Sequence, residues 1–231
     1  MDGLPVNPLP TSPLDDPSPP ARVAARRNTP PVGLAQVPQT LRGVEESVWE
    51  LLQHGISDRF SALHTLTLGT VTEDGFPEQR IVVPRALDPA SRVLRFNTDL
   101  RSPKFGQINA NPRVAMTGYD ACSKVALRMA GLAMTEVGTD HARTVWDRMR
   151  PMSRECYRVG LPPSSPVSSP DESPLQDVSE ADAFENFALV HVTLIRIEWL
   201  YLRHGGHMRA KLIWSQDAGP GTAPDATWLV A

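Results

Sequence analysis

The chain has 231 residues, is 41% hydrophobic and 21% charged, and carries a formal net charge of −3. These are the proportions of an ordinary globular protein. The slight acidity excludes a general nucleic-acid binder, which needs a strong cationic face to release counterions.

Residues 1–39 are crowded with proline (5, 8, 10, 13, 17, 19 and 20 in the first twenty) and poor in large apolar side chains. Such a segment cannot bury enough surface to offset its ordering entropy, so a disordered or polyproline arm is expected. The first residues, MDGLPVNPLPTSPLDD, lack the cationic and apolar stretches of a secretory signal. No apolar run approaches the ~18 residues needed to cross a bilayer. Cys122 and Cys156 show no metal-like spacing, and a reduced, cytoplasmic protein is expected.

From Thr40 the pattern turns helical. Leu41, Val44, Val48, Leu51 and Leu52 share one face, Thr40 can cap, and Gly55 is the expected stop. A strand at 65–72, a Glu73-Asp74-Gly75 turn and a strand at 79–85 read as a hairpin. The Asp88-Pro89 turn leads to a third strand, 93–98, completing an expected three-strand meander. Ser102 and Pro103 open a short helix that Asn111-Pro112 ends. Strands at 113–119 and 125–135 precede a helix at 140–150 closed by Pro151. The stretch 161–183 is rich in Ser, Pro and acids and is expected to be an inserted loop. Strands at 187–202, 207–214 and 226–230 follow. Six to eight mostly antiparallel strands with three short helices define a mainly β protein, a β-barrel with a few short helices. Residues 40–231 are expected to form one domain.

Residues 76–113 concentrate the cations: seven Lys or Arg (80, 85, 92, 95, 101, 104 and 113) against three acids. Arg101, Ser102 and Lys104 stand at a helix N-terminus, where free N–H groups and the helix dipole already favour an anion. Arg80 and Arg85 bracket a strand, and an arginine fork suits phosphate. This set is expected to hold a phosphorylated ligand. His54, His64, His141, His191 and His204 share no metal-ligand spacing, so no metal is expected. No G-x-S-x-G elbow is present.

The segments RIVVPR (80–85), FNTD (96–99), RSPK (101–104), NPRV (111–114), LRMAG (127–131) and IRIEWLYLRHGGHMRAKLIW (195–214) occur in this order. Order and spacing resemble the pyridoxamine 5′-phosphate oxidase family over roughly residues 60–231, apart from the Ser/Pro insertion. The resemblance implies an FMN-binding split barrel and a homodimer with FMN at its interface. It further implies an FMN-dependent oxidoreductase that takes hydride from a small substrate, phosphorylated or not.

By position, the resemblance assigns Arg80, Ser102 and Lys104 to the FMN phosphate and Thr98 to the ribityl or phosphate region. Ile81, Val82 and Val83 would lie along the flavin. Arg85, Arg101, Arg128 and Arg209 complete the implied cofactor set, with either Trp199 or Leu200 at the position that covers the flavin. His207 and Arg209 would position the reacting substrate, and Arg85, Arg150, Ser153 and His207 would bind it. The sequence also departs from the family. Arg85 replaces a substrate-phosphate lysine, Gly205 a substrate arginine and Trp146 a tyrosine. A non-catalytic module holding flavin, haem or pyridoxal phosphate on the same fold is the alternative.

Overall fold

The computed structural model describes residues 37–169 and 178–231. The proline-rich arm, except its last three residues, and part of the Ser/Pro insertion lie outside the described residues. Helix α1 spans Leu41–Ser57. Its cap is Thr40, whose hydroxyl accepts from the Gly43 N–H at 3.1 Å. Val44, Val48, Leu51 and Leu52 are buried along one stripe, as their spacing predicts. Gly55 does not stop the helix. It sits where α1 lies against the next segment, and a Cβ there would fall 2.5 Å from the Leu63 carbonyl oxygen.

The strands are β1 (Leu66–Val71), β2 (Pro77–Val82), β3 (Pro84–Asp88), β4 (Val93–Asp99), β5 (Arg113–Asp120), β6 (Val125–Val137), β7 (Phe187–Tyr201), β8 (Met208–Ile213) and β9 (Asp225–Leu229). Among the described residues they form one nine-stranded sheet in which each pairing is antiparallel. The β1–β2 hairpin turns through Gly75 at φ +89°, as Asp-Gly predicts. The expected meander does not form. The strand read as 79–85 is two strands, divided at Val83: β2 pairs with β1, whereas β3 pairs with β4. The main path runs β2-β1-β5-β6-β7-β4-β3, so its two end strands are joined by one residue. The sheet must curl until those ends meet.

β7 is where the barrel splits. One edge pairs with β6 along nearly its whole length. The other pairs with β4 over Phe187–Thr193 and with β8 over Arg196–Tyr201. The β6–β7 register slips between Ala130 and Gly131, a bulge that bends the sheet at the change of partner. A Cβ on Gly131 would lie 2.5 Å from the Thr193 carbonyl oxygen and 2.7 Å from Val192 Cγ1.

Alternate residues of the strands fill the interior, among them Leu66, Leu68, Phe96, Met116, Leu127, Val192, Ile197 and Leu212. A second, smaller core lies under α3 (Asp140–Asp147), α4 (Pro151–Arg154) and α5 (Glu180–Glu185). Trp146 is its centre, edge-on to Tyr157 at 5.5 Å, Phe184 at 5.8 Å and Phe187 at 5.2 Å. The helix expected to reach 150 ends at Asp147, and Pro151 instead opens α4. The polar insertion also ends earlier than its composition implies, because Ser179 caps α5 and buries Ala183 and Phe184. Its flanks are tied together: Arg158 Nε donates to the Val178 carbonyl at 2.9 Å, and Asn186 Nδ2 to that of Tyr157 at 3.0 Å. No helix among the described residues is long and apolar enough to cross a membrane.

The bulge generates a prediction. Gly131→Ala forces a methyl against the β7 backbone and is expected to cost about 1–3 kcal/mol, the usual price of overpacking. Urea unfolding followed by circular dichroism should show a lower midpoint with an unchanged slope.

Candidate functional site

The turn after β4 is built by Asp99. Its buried carboxylate accepts from Arg101 N at 2.8 Å, Arg101 Nε at 3.0 Å and Arg101 Nη2 at 2.7 Å. Arg101 Nη1 also donates to the Gly160 carbonyl at 3.3 Å. Arg101 is therefore committed to the turn, and its hydrogen bonds to Asp99 raise its pKa. The turn delivers the chain to α2 (Pro103–Ala110). Ser102 holds the cap position without capping by its side chain. Its hydroxyl instead donates to the Asp99 carbonyl at 2.6 Å and receives Lys104 Nζ at 3.0 Å. Thr98 Oγ1 lies 3.2 Å from the same hydroxyl, and both residues are buried.

Arg80 reaches the same place from β2. It donates to the Thr70 hydroxyl, to Gln107 Oε1 on α2 at 3.1 Å and to Glu78 Oε2 at 3.0 Å. Burial lowers the Arg80 pKa, with Glu78 acting in the opposite sense. The Lys104 pKa is lowered first by burial and then by Arg80, partly offset by Asp99. Two like charges thus sit close together and partly desolvated, with Glu78 paired to Arg80 and Asp99 already bound by Arg101. Bringing an oxyanion between them relieves both burial and repulsion. The donor set fits a phosphate group.

Arg85 points elsewhere. With Arg150 and Ser153 it lines a cleft of about 1160 Å³ between the end of α1, the β3–β4 hairpin and α3–α4. The structure thus brings together three of the four residues expected to bind substrate; His207 does not line this cleft. Arg59 and Arg148, which the sequence did not single out, also line it, as does Arg95 from the local cation surplus. Arg95 Nε and Asn97 Oδ1 are buried there with no hydrogen-bond partner. At the cleft wall His141 and His191 meet Glu136. His191 Nε2 lies 2.7 Å from Glu136 Oε2, and His141 Nδ1 lies 3.1 Å from each carboxylate oxygen. The Thr139 hydroxyl donates to the same carboxylate. Burial pushes the Glu136 pKa up, but the bonds from Thr139, His141 and His191 outweigh it and hold it at about 2.

The outer face of the sheet carries a third group. Arg128 Nη1 lies 3.4 Å from Glu198 Oε2, and Arg209 donates to the same oxygen. His207 is exposed in the β7–β8 loop, where the Arg203 N–H donates to its Nδ1 at 3.3 Å. That loop turns through Gly205 and Gly206, both at positive φ. Ile81 is 63% exposed and faces outward, whereas Val82 faces the core at 5%. Trp199 corrects the sequence reading. It pairs with Leu127, one position out of phase with Arg128 and Glu198, and is fully buried against Tyr201 at 6.0 Å. Within this chain its indole fills the barrel and offers no surface for a flavin ring.

Residues 46–136 match the family model described as pyridoxamine 5′-phosphate oxidase, FMN-binding domain. Two solved structures share the fold. One is a pyridoxamine 5′-phosphate oxidase-related, FMN-binding protein of Nostoc punctiforme, with TM-score 0.63 and 20% identity, covering 86% of this chain and 100% of that one. The other is PhzG of Burkholderia lata in complex with tetrahydrophenazine-1-carboxylic acid, with TM-score 0.63 and 15% identity, covering 81% and 92%. A pyridoxine/pyridoxamine 5′-phosphate oxidase of Pseudomonas paraeruginosa is 38% identical over 68 residues, which are 29% of this chain and 31% of that protein. The match therefore spans less than a third of that relative's length. The fold is a split barrel, shared with the FMN-binding neighbour from Nostoc punctiforme. The match to that family's FMN-binding domain covers residues 46–136, less than half of the chain.

The Glu136 carboxylate generates a pH prediction. Its folded pKa lies below the ordinary value of 4.5, so the stability it contributes is complete above that value and is lost as pH falls toward about 2. Wild type should therefore be more stable than Glu136→Gln at neutral pH, with the difference in urea midpoints closing between about pH 4.5 and 2. A difference constant with pH would show that the carboxylate is not held ionised.

Proposed function

We propose that this protein is an FMN-dependent oxidoreductase in which hydride passes from a small, oxyanion-bearing substrate to flavin. The carrying observation is the Arg80–Lys104 pair beside Ser102 at the start of α2. FMN, when bound, supplies the hydride chemistry. Arg80 and Lys104 hold its phosphate, and the Ser102 and Thr98 hydroxyls complete the donor set. Arg85, Arg150 and Ser153 take the anionic group of the substrate in the cleft, where an arginine fork favours a phosphate or carboxylate. Arg209 and His207 position the reacting part of the substrate from the β8 side.

The reading includes a homodimer with flavin at its interface, residues 40–231 acting as one domain. It is supported by the outer sheet face, where Ile81, Tyr119 and Ile213 are exposed around the Arg128–Glu198–Arg209 group. A chain with only two cysteines, Cys122 and Cys156, fits a cytoplasmic location. The Gly205–Gly206 turn favours a second reading, because no side chain stands where the resemblance puts a substrate-binding arginine. In that reading the barrel carries its cofactor without turnover.

The purified protein should show flavin bands and release FMN at about one per subunit on heating, as one site per chain implies. Arg80→Ala and Lys104→Ala each remove a charge-assisted hydrogen-bond donor and should weaken FMN binding about ten- to hundredfold in a fluorescence titration. Unchanged affinity in both variants would sink the phosphate assignment. Bound flavin that no amine, alcohol or nicotinamide donor reduces would favour the carrier.

A further inference from the structure

Glu136, His141 and His191 come from three elements: the end of β6, the first turn of α3 and the middle of β7. Their ligand-capable atoms all lie within 4.8 Å of one another, and both imidazoles line the cleft. We propose that these three residues form a site for a late first-row divalent cation, with zinc as its representative, whose fourth coordination position opens into the cleft.

Four observations carry this. Two imidazoles and one carboxylate are the donor set of zinc sites that keep a position open for an outside ligand. Ligand atoms 2.0–2.2 Å from a tetrahedral ion stand roughly 3.4 Å apart. Separations of 2.7 and 3.1 Å between the imidazole nitrogens and the carboxylate need open by roughly 0.3–0.7 Å to admit it. The carboxylate is already oriented by the Thr139 hydroxyl, the kind of outer hydrogen bond that fixes a metal ligand. Finally, the three residues are spaced around an opening. His141 is on the exposed side at 55%, while Glu136 and His191 form the floor at 21% each.

Arg95 is the opposing term. It lies across from His191 in the β4–β7 register and interacts with Glu136, so its charge weakens the pull on a bare cation. The same charge favours an ion whose open position carries an anion. The site is thus matched to a metal bound together with a carboxylate or phosphate group from the cleft. None of the three ligands belongs to the flavin-phosphate cluster, so the proposal holds whether or not the flavin turns over.

The test uses untagged full-length protein with its flavin bound, treated with chelator, desalted and titrated with Zn²⁺ against a chromogenic chelator. Bound metal is then counted by elemental analysis. One zinc per chain is expected. His141→Ala and Glu136→Gln should each reduce affinity at least tenfold without changing FMN content. His204→Ala, in the β7–β8 loop, should leave zinc affinity unchanged. Zinc binding by wild type no tighter than by His141→Ala, or binding lost in His204→Ala instead, would overturn the assignment.

Discussion

Between Val82 and Pro84 the backbone is one residue long, yet it leads from one end of the main strand path to the other. A covalent bridge that short leaves the sheet no flat solution. The curl that follows encloses the apolar interior and sets the ends of the barrel. It also separates two arginines five positions apart. Arg80, on the β2 side, turns under α2 to Thr70 and Gln107, while Arg85, on the β3 side, faces the cleft. A cofactor phosphate at one and a substrate anion at the other would thus be held by a single stiff connection.

The local cation surplus resolves into different kinds of charge. Arg92 is buried and spends its guanidinium on the carbonyls of Ala218 and Gly219, at 2.7 and 3.2 Å, tethering the β8–β9 connection. Arg101 closes its own turn through Asp99. Arg80 and Lys104 are left side by side with incomplete neutralisation. Arg92 and Arg101 are held by the chain's own carbonyl and carboxylate groups, while Arg80 shares one carboxylate, Glu78, with Gln107.

Much of this was legible in the sequence where the signal is local. Thr40 as cap, Asp-Gly as hairpin, Ser102-Pro103 as a helix start and the alternation of β1 and β4 all rest on neighbouring residues. The division at Val83 was not legible, because a strand that changes partners keeps its extended backbone and its apolar character. Gly55 reads as a helix end, but its lack of a side chain answers a contact with Leu63 that only the fold creates. Trp199 was placed by motif; the period of two from Glu198 already puts it on the other face of the strand. The Glu136–His141–His191 group has no spacing to detect, since β6, α3 and β7 meet only after the sheet and the small aromatic core have formed. Arg85, Arg150 and Ser153 came from family likeness, and their convergence on one cleft is a property of the packed α3–α4 segment.

The ties across the Ser/Pro insertion, from Arg158 to Val178 and from Asn186 to Tyr157, fasten its two ends independently of what lies between. Closing a loop whose ends are already fixed costs little more as it lengthens, about 0.6 kcal/mol for each doubling. This makes the insertion a place where added residues cost the barrel little. It is equally a place where a reporter peptide could be grafted while the barrel and its anion cluster keep their architecture.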